Sequence, residues 1–126
     1  MNVPEQLRYT ESHHWVRPED DGTVSVGITQ HAQDELGDIV FIEAPPAGRR
    51  LKRGESCGAI ESVKTAADLF APVDGEVVAA NAEAREAPER VNEDAYGTWL
   101  FRVRPDDAAQ LETLLDAAAY RKLAGG

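Results

Sequence analysis

The apolar positions of this chain fall into short strand-like stretches cut by turns, with helices only at the margins, and the tail differs in carrying a helical repeat. Over 22–28, Val24, Val26 and Ile28 alternate with small or polar residues, which predicts a half-buried strand. Thr29 is placed to cap a brief helix through Ala32 and Leu36, and Gly37 stops it. Ile39-Val40-Phe41-Ile42 predicts a more continuous strand, broken by Pro45-Pro46-Ala47-Gly48. A short strand from Leu51 turns at Gly54, and an extended stretch follows over 57–63. Asp74-Gly75 is a turn signal ahead of another apolar run at Val77-Val78. The polar segment 81–97, with Pro88 inside it, predicts a long loop holding at most one helical turn. Trp99, Phe101 and Val103 then alternate along a strand that Pro105 ends.

In the tail, Leu111, Leu114, Leu115, Ala118 and Ala119 sit at i, i+3, i+4, i+7 and i+8. One amphipathic helix over about 106–123 is therefore predicted, packed across the sheet. Asp107 with Gln110 resembles a capping box at its start, Arg121-Lys122 suit its last turn, and Gly125-Gly126 mark a frayed end. A faint echo links Gly22-Thr23-Val24-Ser25-Val26 to Gly75-Glu76-Val77-Val78, each followed by a long connection and another strand. It suggests a pseudo-symmetric, mainly β sandwich with Lys64 at the crossing between halves.

Composition narrows the function. A chain of 126 residues is expected to form a single domain over 1–126, and a formal net charge of −10 repels phosphate backbones and anionic lipid surfaces. No nucleic-acid or membrane partner is expected. The first residues have no basic head followed by an apolar stretch, so a cytoplasmic location without a targeting segment is expected. Cys57 is the single cysteine, which excludes an internal disulfide and a multi-cysteine metal site; it reads as a small, half-buried strand residue.

Candidate chemistry is sparse. There is no G-x-S-x-G, no phosphate-cradling glycine loop and no H-E-x-x-H. His13 and His14 lie in an extended stretch that sends neighbouring side chains to opposite faces, so partly exposed histidines are expected rather than metal ligands. The runs Glu19-Asp20-Asp21 and Glu93-Asp94 read as solvated turns. What remains is Lys64, between two extended segments and followed by Thr65-Ala66-Ala67, a pattern that suits an exposed hairpin tip. Covalent carriage of a group needs such a reachable amine, although spacing alone favours an ordinary solubilising lysine.

Glu61-Ser62-Val63-Lys64 followed by Ala71-Pro72-Val73-Asp74-Gly75-Glu76-Val77 resembles the lipoyl-attachment region of the glycine cleavage system H protein family. Ser12-His13-His14-Trp15-Val16, Gly27-Ile28-Thr29-Gln30-His31-Ala32-Gln33-Asp34, Leu36-Gly37-Asp38-Ile39-Val40-Phe41 and Val91-Asn92-Glu93-Asp94-Ala95-Tyr96 extend the likeness over nearly the whole chain. The resemblance implies a barrel-sandwich hybrid with short peripheral helices and a C-terminal helix. It implies lipoic acid in amide linkage to Lys64. It also implies a non-catalytic role, shuttling the aminomethyl group of glycine from glycine decarboxylase (the P protein) to the aminomethyltransferase (the T protein). Dihydrolipoyl dehydrogenase (the L protein) would reoxidise the arm, and a lipoylating enzyme would install it. Glu61 and Gly75 match positions that lipoylating enzymes read in this family, while a solvated acid and a turn glycine stay open for the two. Serving several enzymes in turn calls for transient contacts, so a monomer is expected.

Two departures stand out. The family usually carries an acid between His and Trp, in the cleft where the loaded arm rests; His14 there implies weaker or more pH-dependent sequestration. The turn Tyr96-Gly97-Thr98-Trp99 is shorter than usual. Among alternatives, a biotinyl domain is disfavoured because Val63 and Thr65, not methionines, flank the lysine. An H-like relay of lipoyl groups to other enzymes is not separable by sequence. An interaction domain without the modification sits poorly with the intact 61–64 segment, and an enzyme in its own right comes last.

Overall fold

The computed structural model describes residues 3–125. The strands are β1 (Arg8–Tyr9), β2 (His14–Pro18), β3 (Val24–Ile28), β4 (Ile39–Glu43), β5 (Arg50–Leu51), β6 (Ser56–Ser62), β7 (Ala66–Phe70), β8 (Gly75–Ala80) and β9 (Phe101–Pro105). Helix α1 (Gln30–Leu36) joins β3 to β4, α2 (Ala82–Glu86) and α3 (Glu89–Glu93) join β8 to β9, and a 3-10 segment (Ala108–Thr113) precedes α4 (Ala117–Ala124).

All strand pairs are antiparallel and fall into two sheets, ordered β1-β2-β3-β9-β8-β5 and β4-β6-β7. Each sheet takes strands from before and after Lys64, as the sequence echo suggested. The fold is the barrel-sandwich hybrid, mostly sheet, with short helices and a C-terminal helix. Alternation puts Val24, Val26, Phe101 and Val103 of the larger sheet inside, facing a core that also holds Ile42, Ile60 and Leu69 of the smaller one. Each such side chain contributes about 1.5–3 kcal/mol by leaving water. A second cluster, Val3, Leu7, Tyr9, Trp15, Ala117 and Tyr120, joins the two chain ends.

Helix α1 forms as predicted: Thr29 Oγ1 accepts from Ala32 N, and Gly37 ends the helix with φ 79°. Three predictions require correction. The 81–97 loop holds two helices, because Asn81 caps the first by accepting from Glu83 N and Pro88 introduces the second. The single helix over 106–123 is broken into the 3-10 segment and α4. Leu115 exchanges backbone hydrogen bonds with Tyr9 at 2.8 and 2.9 Å, extending the sheet edge, and Asp116 then caps a new helix through Ala119 N. Asp107 does cap the 3-10 segment, but Gln110 turns away to bond Asp74. Finally, Trp99 precedes β9 instead of lying in it. Gly125 is the left-handed cap of α4, while Gly126 of the predicted frayed end lies outside the described residues.

Candidate functional site

Strands β6 and β7 form a hairpin in which Ile60 faces Ala67 and Glu61 faces Ala66, leaving Ser62, Val63, Lys64 and Thr65 to turn the chain. Ser62 holds that turn together. Its N–H donates to Thr65 O at 2.8 Å, and its Oγ accepts from Thr65 N at 3.1 Å and Lys64 N at 3.3 Å. Beyond the pairing of Ser62 with Ile39, a backbone bond ties the tip to the body: Val63 N–H donates to Asp38 O at 3.0 Å.

The ground beneath the tip is also fixed. Gly37, with φ 79°, adopts a conformation that disfavours side chains, and a Cβ there would stand 3.2 Å from Lys64 Cε. Glycine thus both ends α1 and leaves room for the stem of the lysine. Asn92 on α3 locks this platform: Nδ2 donates to Gly37 O at 2.8 Å and Gln33 Oε1 at 2.7 Å, and Oδ1 accepts from Ile39 N at 2.9 Å. Sequence reasoning gave Asn92 no role, and its position in a polar segment carried no signal of these partners.

Lys64 is exposed, and among the described residues its Nζ makes no hydrogen bond or ion pair. An amine so placed can be acylated without breaking any contact of the fold. Glu61 is exposed on β6, between Phe41 and Ala66 on the neighbouring strands. Gly75 is not at the tip, nor is it a turn glycine. It opens β8 after a bend at 72–74, and a Cβ there would meet Arg104 O at 2.3 Å and Val103 Cγ1 at 2.8 Å. Close approach to β9 is what demands glycine.

His14 overturns the expectation of a partly exposed histidine: it is 2 % exposed. The alternation failed because His13 has φ 65° and lies outside the strand. His14 Nδ1 donates to Ser12 O at 3.1 Å, and Nε2 accepts from Phe70 N at 3.2 Å. Burial lowers its pKa to about 4, against the opposing pull of the Ser12 carbonyl. It therefore stays neutral from mildly acidic to alkaline pH, which removes the basis for pH-dependent sequestration through this residue. The bond to Phe70 staples the far end of β7 to the first residue of β2, beside a groove of about 420 Å³ lined in part by Ser12, Arg53, Phe70 and Leu114.

Other candidates are structural. His13 Nδ1 and Thr29 Oγ1 each lie 2.7 Å from Tyr120 OH, and the His13 and His31 rings meet at 4.6 Å. Among the described residues no group of three or more His, Cys, Asp or Glu side chains is placed to hold a metal ion. Cys57 is buried, not half-buried, and burial pushes its thiol up to about 11. In the short turn before β9, Gly97 N donates to Asp94 Oδ1 and Gln30 N donates to Tyr96 OH, which joins the turn to α1.

Comparison with known proteins follows this geometry. Residues 7–125 match the family model for the glycine cleavage H-protein. The chain is 59 % identical over 123 residues to the glycine cleavage system H protein of Nitrosospira multiformis, covering 98 % of this chain and 95 % of that one. It is 58 % identical to that of Thiobacillus denitrificans, with the same coverage. Among solved structures, the H protein of Mycobacterium marinum superposes with a TM-score of 0.90 at 39 % identity, covering 98 % of this chain and all of that one.

Proposed function

Since the chain belongs to the glycine cleavage H-protein family, we propose that it is a non-catalytic carrier in which residues 1–126 form one lipoyl-carrier domain and Lys64 bears lipoic acid in amide linkage. The observation that carries this reading is Lys64 itself: an exposed amine with no partner among the described residues, at the tip of a hairpin whose turn is held by other groups. When bound, the lipoyl group supplies a dithiolane able to take up the aminomethyl group of glycine.

The residues of the chain position that group and leave the bond-making to the partner enzymes. Ser62 and the Val63–Asp38 bond fix the tip, so the arm pivots from a defined point. Gly37 and Asn92 keep a flat, fixed platform beneath the stem. Glu61, exposed immediately before the turn, is available to a lipoylating enzyme, while Gly75 acts on recognition through the backbone path of β8. The partners are the glycine decarboxylase that loads the arm, the aminomethyltransferase that unloads it and the dihydrolipoyl dehydrogenase that reoxidises it. The carrier works as a monomer in the bacterial cytoplasm. Bacterial relatives support that location, and among the described residues no helix is long and apolar enough to cross a membrane.

The test is reconstitution with glycine decarboxylase and labelled bicarbonate. Lipoylated protein should support exchange of the glycine carboxyl group, and Lys64→Arg should support none. Exchange by the arginine variant at the rate of the parent would refute the assignment.

A further inference from the structure

The smaller sheet has an outer face that the fold leaves uncovered. Its inner face gives Ile39, Ile42, Ile60 and Leu69 to the core. By register, Phe41, Glu61 and Ala66 form one row across the outer face, and Glu43, Ala59 and Asp68 form the next. A register shift between Ile39 and Phe41 turns Val40 outward as well. Val40 is 54 %, Phe41 46 % and Val63 68 % exposed, and these are three of the four large exposed hydrophobic side chains among the described residues. All three belong to β4 or to the tip that carries Lys64.

The charges around them have one sign. Asp38, Glu43, Glu61 and Asp68 are exposed, and none joins an ion pair among the described residues, whereas Arg17, Arg49, Arg50, Arg90 and Arg121 elsewhere are each paired. Lys64 is the one cation in 38–43 and 56–70, and acylation removes its charge. An uncharged partner would cover these carboxylates without compensation, which is costly. A second copy of the chain would set acid against acid.

Resting on the carrier reading above, we propose that this outer face is a docking surface for the partner enzymes, fitting an apolar socket framed by lysine and arginine side chains. Apolar anchors with a charged rim match the general anatomy of protein interfaces, and opposite charge accelerates encounter. Because the face adjoins the root of the arm, only one partner can occupy it at a time. The aminomethyl group must then pass between enzymes by release and rebinding of the carrier.

The experiment uses fully lipoylated protein, verified by intact mass, as the substrate of glycine decarboxylase. Phe41→Ala should raise the KM for the carrier about tenfold with kcat unchanged. The charge reversal E43K/D68K should raise it at least about fivefold at low salt, and this difference should shrink at about 0.5 M salt. The double variant E86K/E112K makes the same change in net charge on other parts of the surface and should stay within about twofold of the parent. An equal loss in E86K/E112K, or an unchanged KM in both face variants, overturns the proposal. So does a concentration-dependent dimer of the parent that Phe41→Ala abolishes, since the occupant is then a second copy. Failure of the carrier reading looks different: Lys64 unmodified, or no loading of any variant at any concentration.

Discussion

The closure of the chain ends and the tip of the β6–β7 hairpin treat polar groups in opposite ways. Around Tyr9, Trp15 and Tyr120, every buried polar side-chain atom is matched. Tyr9 OH donates to Pro4 O, Trp15 Nε1 donates to Ala95 O, Tyr120 OH is shared by His13 and Thr29, and His14 uses both ring nitrogens. Among the described residues no buried side-chain nitrogen or oxygen lacks a partner. At the tip, the ordering bonds are mostly backbone and Ser62, while Lys64 and Glu61 point into water unpaired. Burial forces pairing, because an unmatched group there costs about 1–3 kcal/mol. Exposure lifts that constraint and frees the tip to meet other molecules. On the proposed carrier reading, stability and carriage then reside in separate parts of the molecule, and changes in one should leave the other intact.

The largest effect that would break this contrast is at the chain ends. Trp15→Ala removes a fully buried ring and its bond to Ala95, and should cost about 3–5 kcal/mol in urea unfolding. Acid should weaken the same region. Folded His14 takes up a proton only near pH 4, whereas the unfolded chain does so near 6.5. Between these values the unfolded state binds more protons, so stability should fall as pH drops from about 6.5 to about 4, by about 3 kcal/mol. His13, also lowered by burial, adds in the same direction. Unfolding midpoints that stay flat from pH 7 to 4.5 would contradict the neutral, stapled His14.

Smaller effects sharpen the comparison. Gly75→Ala forces a Cβ against Arg104 O and should cost about 1–3 kcal/mol, with lipoylation reduced only as far as the fold is. Loss of lipoylation at unchanged stability would instead mark Gly75 as a direct recognition element. At the tip, Val63→Ala and Lys64→Arg should each stay within about 0.5 kcal/mol of the parent in the same assay. A larger loss at either would mean that the tip is part of the stabilising framework.

Much of the fold was legible in the sequence because its signals are local. Thr29 and Gly37 bracket α1, period-two alternation marks β3 and β9, and Lys64 with small neighbours marks a tip. The misses came where distant segments decide. Leu115 satisfies a helical stripe, yet Tyr9 takes its backbone into a strand pairing. His14 reads as half-exposed until Ser12 and Phe70 claim both its nitrogens. Asn92 has no local signature, because its partners, Gln33, Gly37 and Ile39, lie more than fifty residues earlier. The lysine of the candidate site was readable, and the platform that holds it was not.

The most direct test of the carrier account is intact mass with peptide mapping, on protein made in cells supplied with lipoic acid and an active lipoylating enzyme. The account predicts a lipoyl increment confined to the peptide that contains Lys64 and absent from Lys64→Arg. An unmodified Lys64 under those conditions, or the increment on another lysine, would contradict it.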